Sequence, residues 1–330
     1  MRRRRASTWA LAAGLALAVV LAHKVQAQTY PSRPITILVA LAAGTGMDTL
    51  VRLYGERLSQ SLGQPVIIDN RPGGAGVVAG ETIVKGPPDG YTLAVATSAV
   101  LAIRPTLFKQ RPFNPLTDFM PISHYVKSPF VFIVDPTLPV HSVPEFIKYA
   151  KEHGRELSYS SSGIGGAPHL TMELLKQTFG FDIPHVPYRN SPQSIADVAA
   201  GHVSAAVAEA GASLPLIKDG KLRALAVTSA TRFDTLPEVP TIAEAVGMPD
   251  LEAVSWHVLF ARHDTPRPIV EKLHSEMRRI IAAPEMQQRI KAIGLIPHDT
   301  PSVEGIQAYI KAETEKWGAL VRQLGLEGSQ

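Results

Sequence analysis

The sequence predicts an α/β fold with parallel sheets, divided into two domains, and three observations lead to this prediction. Short apolar runs with the length of buried strands alternate with stretches whose apolar residues recur at helical spacing. This alternation is typical of parallel strands joined by helices that cover the sheet. Small polar or Gly-rich turns follow four of the strands. The chain has 330 residues, which is enough for two such domains.

The first 27 residues have the pattern of a cleavable signal peptide. Arg2 to Arg5 precede an apolar segment from Trp9 to Ala22, and Val25-Gln26-Ala27 resembles a signal-peptidase site. The apolar segment is short for a membrane span, although an uncleaved anchor and a twin-arginine signal are alternatives. No Cys lies near the cleavage site, which excludes a lipoprotein anchor. We therefore expect secretion, with cleavage after Ala27.

Removal of this leader makes the mature chain nearly neutral. The whole chain has 33 basic and 29 acidic residues, and five of the basic residues lie in the leader. The mature chain therefore has no compositional feature of a nucleic-acid-binding protein. It also has no Cys, which excludes disulfides, thiolate nucleophiles and Cys-ligated metals. The fold has to be stabilised by burial of its core.

The first strand, turn and helix form the unit around which a binding site can be built. Residues 35–41 are an apolar strand, and a small turn over residues 42–46 leads to an amphipathic helix that starts at Asp48. A strand, a small turn and a helix N-terminus direct several backbone N–H groups at one anion. Asp48 either orders this turn or is a first-turn residue stabilised by the helix dipole.

The remaining elements continue the alternation. Residues 104–121 contain four prolines and are predicted to be irregular, and residues 236–249 are predicted to be mostly loop. Strands are predicted over residues 66–68, 91–96, 130–134, 158–160, 185–187, 203–208, 223–227 and 256–261. Helices are predicted over residues 77–85, 143–153, 169–179, 191–200, 214–218, 268–281, 284–293 and 303–324. Ligands bind beyond the carboxyl ends of parallel strands. The turns after Leu41, Ile68, Ala96 and Ser160 therefore indicate a shared anion site.

The common catalytic motifs are incomplete or missing. Gly44 and Gly46 match the start of a dinucleotide fingerprint, but Thr49 occupies the position of its third Gly. The sequence has no P-loop, no H-E-x-x-H zinc helix and no G-x-S-x-G nucleophile elbow. We therefore expect no enzyme activity, no cofactor and no metal. His169 is a candidate for ligand contact, because it opens a helix directly after a Ser/Gly turn.

Short motifs along the whole mature chain resemble the periplasmic solute receptors of tripartite tricarboxylate transporters, also called the Bug family. Their order and spacing together are specific, although each motif is short. The motifs are Gly44…Asp48…Arg52, Asp69 to Gly73, Pro88 to Leu93, Thr97-Ser98, Asp118 to Ile122, Ser160 to Leu170, His185 to Tyr188, Gly220 to Thr228, Val239 to Thr241 and Ser255-Trp256.

The resemblance implies a two-lobed periplasmic binding protein of type II-like α/β fold. Each lobe would be a mostly parallel sheet flanked by helices, and the chain would cross between the lobes near residues 126–131 and 253–256. Lobe 1 would comprise residues 28–128 plus 254–330, and lobe 2 residues 129–253. The implied protein is a periplasmic monomer that delivers its ligand to the membrane permease subunits of a tripartite transporter.

The resemblance also implies a site that binds a small carboxylate through backbone N–H groups and ordered water. In lobe 1, the implied residues are Ala43, Gly44, Thr45, Gly46, Asp48, Thr97 and Ser98. In lobe 2, they are Ser161, Ser162, Gly163, Gly165, His169, Tyr188, Asn190, Ala208 and Glu209. Alternative functions are a carboxylate sensor for a signalling receptor and a periplasmic hydrolase that uses Ser98 or Ser162.

Four positions depart from the family pattern. Ala40-Leu41 stands where the family has Pro-Phe, and Gly44-Thr45 where it has Gly-Gly, so we expect the ligand selectivity to differ there. Asn190 replaces a Gly and is expected to tolerate a left-handed turn. Ala208-Glu209 replaces Asp-Asn, which disfavours an amino-acid ligand. Glu209 either takes the place of the Asp or repels a second carboxylate.

Overall fold

The strands of the protein form two separate sheets in a computed structural model that describes residues 30–41, 43, 46–71, 76–249, 251–299 and 302–330. The predicted signal peptide lies outside these ranges. In chain order the strands are β1 (Ile35–Val39), β2 (Val66–Asn70), β3 (Thr92–Thr97), β4 (Phe119–Ser128), β5 (Phe130–Val134), β6 (Tyr159–Ser161), β7 (His185–Pro187), β8 (Ala205–Glu209), β9 (Arg223–Val227), β10 (Ser255–Arg262) and β11 (Ile296–Pro297).

Helices cover both sheets. They are α1 (Gly46–Leu62), α2 (Val77–Lys85), a π-helical turn (Ala99–Ile103) that continues into α3 (Arg104–Leu107), α4 (Pro115–Asp118), α5 (Val143–His153), α6 (Ala167–Phe179), α7 (Ser191–Ala199), α8 (Ala210–Lys218), α9 (Ile242–Val246), α10 (Arg267–Ala282), α11 (Pro284–Ala292) and α12 (Val303–Gln323). In the part of the chain that the structure describes, no helix is long and apolar enough to cross a membrane.

Sheet 1 has the strand order β11-β4-β10-β3-β1-β2, and sheet 2 has the order β7-β6-β8-β5-β9. The predicted α/β class is confirmed, and most strands of each sheet run in one direction. The exceptions are β10 and β11 in sheet 1 and β5 in sheet 2, which are antiparallel to their neighbours. The chain enters sheet 2 from sheet 1 through β5, and it returns to sheet 1 through β10. Both of these entry strands are reversed.

The chain passes between the sheets at two adjacent places. β4 ends at Ser128 and β5 begins at Phe130, so that Pro129 alone separates them. Ser128 pairs with Ser255, the first residue of β10, through which the chain returns. The backbone N–H of Ala253 donates to the carbonyl oxygen of Thr228 at 3.0 Å. These segments coincide with the expected crossings, and the lobe boundaries drawn through them stay a prediction.

The apolar periodicity of the sequence accounts for the packing of helices on sheet 1. Ile37 and Val39 of β1 are fully buried against the helix face that carries Leu50, Val51 and Tyr54. Apolar burial of this kind stabilises a protein by about 1.5–3 kcal/mol for each large side chain. It holds α1 against the sheet, with the N-terminus of α1 at the carboxyl end of β1.

Side-chain caps fix the start of several helices. Ser142, Asn190, Thr241 and Ser302 each accept a hydrogen bond from a backbone N–H in the first turn of the helix that follows. Asn190 has φ −152°, which is an extended conformation. Asn190 therefore does not use the left-handed conformation that it was expected to tolerate, and it caps α7 instead.

Candidate functional site

The predicted ligand residues lie at the carboxyl ends of parallel strands in both sheets. In sheet 1, Val39 of β1 pairs with Val95 of β3, so the turns that follow these strands share one edge. In sheet 2, Tyr159 of β6 pairs with both His185 of β7 and Ala205 of β8. The turns after these three strands also share one edge. Each sheet thus brings together turns that are far apart in sequence.

A network of side chains orders the turn after β1. The Asn70 side-chain amide donates to the Leu41 carbonyl oxygen at 3.0 Å and to the Asp48 carboxylate at 2.9 Å. Arg52 Nε donates to the same carboxylate at 3.1 Å, and its Nη2 donates to Asn70 Oδ1 at 2.8 Å. The start of α1 is thereby tied to the end of β2. Asn70 was not among the expected site residues, although it lies in one of the family motifs.

This network supports one of the two interpretations of Asp48. Its side chain is buried, and its carboxylate bonds to Asn70 and Arg52, so Asp48 orders the turn. Ala43 and Gly46 are exposed, so their backbone groups are open to a ligand. Gly44 and Thr45 lie outside the described residues. Ligand contacts from this turn stay a prediction.

The turn after β3 places a buried hydroxyl beside the crossing between the sheets. Ser98 follows β3 directly, is 1% exposed, and lies with its Oγ 3.1 Å from the Oγ of Ser255. Thr97 is half-buried and pairs with His257 of β10. Burial lowers the pKa of His257 to about 4, so its imidazole is neutral at pH 7. Ser255 and His257 were not among the expected site residues, although Ser255 lies in one of the family motifs.

The loop between β6 and α6 has an unusual backbone. Gly163 has φ +135° and Gly165 has φ +75°, conformations that side chains with a Cβ rarely adopt. Ser161 Oγ accepts from the Gly163 N–H at 3.3 Å, and it also lies 3.0 Å from the Gly163 carbonyl oxygen. Ser162 is exposed. The loop therefore presents exposed polar groups around a serine that is itself buried.

His169 lies behind this loop and not on its open side. The side chain is 6% exposed, and its Nδ1 accepts a hydrogen bond from the backbone N–H of Gly165 at 3.2 Å. Burial lowers the pKa of His169, and the nearby Lys176 lowers it further. The His169 imidazole bonds to the loop backbone through Nδ1, and the expected ligand contact stays a prediction.

The Tyr-bearing segment after β7 is joined to the same loop. The backbone N–H of Tyr188 donates to the Ser161 carbonyl oxygen at 3.0 Å, and its hydroxyl donates to Asp197. Burial and this bond raise the pKa of the Tyr188 hydroxyl to about 12. Asn190 is exposed, and its side-chain oxygen caps α7. The Asn190 side-chain amide N–H is left as the group that can reach a ligand.

The end of β8 places an acidic side chain next to the first crossing. Glu209 pairs with Phe130, and the backbone N–H of Ala210 donates to the Pro129 carbonyl oxygen at 3.2 Å. Ala208 is buried. Part of the Glu209 side chain is exposed, but many protein atoms lie around its carboxyl group, and this desolvation raises the pKa of Glu209. Among the described residues, Glu209 forms no ion pair. Its carboxyl group is therefore available to a ligand.

The two sets of turns meet where Gly165 packs against Leu107. Leu107 ends the helical segment that begins after Ser98, and a Cβ added to Gly165 would lie 1.9 Å from Leu107 Cδ2. Gly211 and Gly294 form a second close contact, because a Cβ added to Gly294 would lie 2.5 Å from the Gly211 Cα. These contacts join elements of sheet 1 to elements of sheet 2. That the turns at the two sheet edges bind one ligand stays a prediction.

Comparisons with known proteins agree with this arrangement. Residues 50–326 match the model of the family described as tripartite tricarboxylate transporter family receptor. The chain is similar to Rpa4515 of R. palustris, solved with adipate, at 35% identity and a TM-score of 0.81, covering 90% of this chain and 98% of that one. It is similar to the periplasmic binding protein BugD at 30% identity and a TM-score of 0.78, covering 90% and 99%.

A third similar structure is MatC of Rhodopseudomonas palustris with bound malate. The identity is 26% and the TM-score 0.77, with coverage of 88% of this chain and 100% of that one. The family match extends over most of the chain, and the likeness to the solved structures extends over both sheets. The chain therefore belongs to the receptors of the tripartite tricarboxylate transporter family, the family of Bug-type periplasmic binding proteins.

Proposed function

We propose that the mature protein is a periplasmic receptor that captures a small organic acid between two lobes and delivers it to a tripartite permease. Lobe 1 comprises residues 28–128 plus 254–330, and lobe 2 residues 129–253. The contact between Leu107 and Gly165 is the observation that carries the proposal, because it joins the helical segment that follows Ser98 to the Ser/Gly loop after β6.

The site binds an anion with neutral donors. Backbone N–H groups of the turns after β1 and β3 contact the ligand from lobe 1, with the hydroxyls of Thr97 and Ser98. The Ser161–Gly165 loop, the segment at Tyr188 and Asn190, and the end of β8 at Ala208 and Glu209 contact it from lobe 2. A hydrogen bond to a charged group contributes about 1.5–3 kcal/mol, so a few such donors suffice without a buried counter-charge.

Dicarboxylates are the first candidates for the ligand. Two similar proteins were solved with adipate and with malate. Burial raises the pKa of Glu209, and Glu209 forms no ion pair among the described residues. Its two possible roles, as a partner for an amino group or as a charge that repels a second carboxylate, predict opposite preferences between an amino acid and a diacid. A panel of acids that contains glutamate beside adipate and malate separates them.

A binding protein is favoured over the hydrolase by the surroundings of its serines. A nucleophilic serine needs an adjacent base. The contact that Ser98 Oγ makes is with the hydroxyl of Ser255, which is not a base, and Ser162 is exposed in the loop. A sensor would bind the same acids and differ only in its membrane partner. We further propose that the receptor is monomeric and that its leader is cleaved after Ala27.

A panel of carboxylates tests the proposal. The purified mature protein is heated with adipate, malate, citrate, benzoate and glutamate, and positive acids are followed by calorimetry and assayed for turnover. We expect at least one diacid to raise the melting temperature by mass action, and no acid to be converted. If no carboxylate raises the melting temperature, the receptor proposal fails. Turnover would instead favour the hydrolase.

Replacing Ser98 by Ala is expected to weaken binding of the best diacid by roughly tenfold to a hundredfold, the value of one hydrogen bond to a charged group. Ser255→Ala is the matched control, because it removes the same 3.1 Å contact and leaves the Ser98 hydroxyl in place. We expect Ser255→Ala to bind nearly as wild type does in calorimetry. Equal losses in both variants would assign the effect to the Ser98–Ser255 contact and remove Ser98 from the ligand site.

A further inference from the structure

Five side chains form a cluster, the histidine cluster, directly behind the Ser161–Gly165 loop: Tyr159, His169, Glu173, Lys176 and His185. The rings of His169 and His185 lie 4.3 Å apart between centroids, and Tyr159 stacks on His185 at 4.7 Å. Glu173 accepts hydrogen bonds from the Tyr159 hydroxyl and from Lys176 Nζ. The cluster places two imidazoles side by side, with an ammonium group and a carboxylate close to both.

Both imidazoles bond to the loop itself. His169 Nδ1 accepts from the backbone N–H of Gly165 at 3.2 Å, and His185 Nε2 lies 2.8 Å from Ser161 Oγ. An N–H group can donate only to an unprotonated ring nitrogen, so the bond to Gly165 requires His169 to be neutral. Protonation of His169 at Nδ1 would place an N–H group of the ring opposite the N–H group of Gly165, and two donors cannot form a hydrogen bond. The loop would then lose the bond that fixes Gly165.

Gly165 is also the loop residue that touches the opposite lobe. It has φ +75° and packs directly on Leu107. If the loop loses the hydrogen bond between the Gly165 N–H and His169 Nδ1, which anchors it, Gly165 no longer packs on Leu107. The anchor therefore acts both on the shape of the loop and on the contact between the lobes.

We propose that His169 is a positioning residue which holds the Ser161–Gly165 loop in its ligand-binding shape only while its own imidazole is neutral, so that acid releases the ligand. This inference rests on the proposed function. It assigns to the histidine cluster a role in the regulation of the same site.

The charged groups around the cluster agree with this role. Burial, helped by the neighbouring His169 and Lys176 and opposed by Glu173, lowers the pKa of His185 to about 4. Glu173 raises and Lys176 lowers the pKa of His169 as well, with burial as the main cause of the shift. Asp182 lies 3.1 Å from Lys176 Nζ and offsets part of its charge. Both imidazoles are therefore neutral at pH 7.

The sign of the pH effect follows from these shifts. Each imidazole binds a proton less readily in the folded protein than in the unfolded chain, where its pKa is about 6.5. The free energy of unfolding therefore falls as the pH is lowered from about 6.5 to about 4, the folded pKa of His185, and then levels off. In mild acid, protonation of the imidazoles therefore destabilises the protein least when the loop is released.

Adipate binding at two pH values tests the proposal with three variants. His169→Asn keeps an acceptor oxygen near the position of Nδ1 but cannot titrate, whereas His169→Leu removes the acceptor. His141→Asn, at an exposed position in the same lobe, is the control. By calorimetry at about pH 7.5 we expect His169→Leu to bind about tenfold more weakly than wild type, and His169→Asn to recover most of that loss.

At about pH 5 adipate itself takes up protons, and every variant shares this effect. We expect wild type and His141→Asn to lose at least about threefold more affinity between the two pH values than His169→Asn does. Equal losses in wild type and His169→Asn would overturn the proposal. So would wild-type affinity in His169→Leu at about pH 7.5.

Hydrogen exchange of the Gly165 amide in the ligand-free mature protein supplies a readout that does not depend on adipate. We expect the amide to be protected at neutral pH in wild type and His169→Asn, and to exchange faster, after correction for intrinsic rates, in His169→Leu and in acid-treated wild type. Unchanged protection in His169→Leu would overturn the positioning role. If adipate binds to no variant while this exchange pattern holds, the failure lies in the proposed function or the choice of acid.

Discussion

Replacing Gly165 by Ala is expected to weaken diacid binding by about a hundredfold. An L-residue at φ +75° costs about 1–2 kcal/mol, and the new Cβ would lie 1.9 Å from Leu107 Cδ2. This overpacking costs roughly 1–3 kcal/mol more. The loop can avoid both costs only by leaving the position in which it packs on Leu107. Calorimetry with the acid that gives the largest thermal shift measures the loss.

Gly166→Ala is the matched control for this prediction. Gly166 has φ −71°, and an added Cβ would meet nothing closer than 3.6 Å, so its binding should equal that of wild type. The double variant Gly165→Ala with Leu107→Ala should recover part of the affinity. It removes the clash with the Leu107 side chain but keeps the strain of a positive φ at residue 165. Wild-type affinity in Gly165→Ala would show that the loop does not take part in capture.

Replacing Glu313 by Leu is expected to lower the free energy of unfolding by about 3 kcal/mol. Glu313 Oε2 accepts from the indole N–H of Trp256 at 3.0 Å and from that of Trp317 at 2.9 Å. Both indoles are at least 98% buried, and each buried donor without a partner costs about 1–3 kcal/mol. Trp256 directly follows Ser255 at the return crossing. The variant should therefore also weaken ligand binding.

Urea unfolding of Glu313→Leu and Glu315→Leu measures this effect. Glu315 lies two residues further along α12 and is exposed, so its replacement should change the free energy of unfolding by no more than about 0.5 kcal/mol. Glu313→Gln keeps one acceptor oxygen and should fall between the two. A loss in Glu313→Leu as small as that in Glu315→Leu would mean that the two indoles find other partners.

Periodicity predicted most elements because most strands here are purely apolar and most helices have one apolar face. The predicted bounds of β5, β7 and β9 agree with the structure, as do those of α2 and α5. β4 was missed, and it lies partly in the stretch predicted to be irregular. It contains Pro121 together with the buried polar residues Ser123 and His124, so its sequence has no apolar run. Its two antiparallel neighbours, β10 and β11, hold it in the sheet, and such pairing cannot be derived from local sequence.

The candidate site was predictable in position but not in the roles of its side chains. Turns at strand ends located the Thr97–Ser98 and Ser161–Gly165 segments. Burial decided the roles of Asp48 and His169, which support their turns from behind. The contact between Ser255 and Ser98 could not be predicted, because 157 residues separate them and the pairing of β10 with β4 brings Ser255 to this edge.

Amide chemical shifts during a titration test the central claim most directly. The mature protein, labelled with ¹⁵N, is titrated with the diacid that gives the largest thermal shift. We predict that the amides of Thr97 and Ser98 and those of Ser161 to Gly165 shift together, with one dissociation constant. A single ligand held between the lobes requires both sets to respond. Shifts confined to one set, or to neither, would contradict capture of the acid between these two lobes.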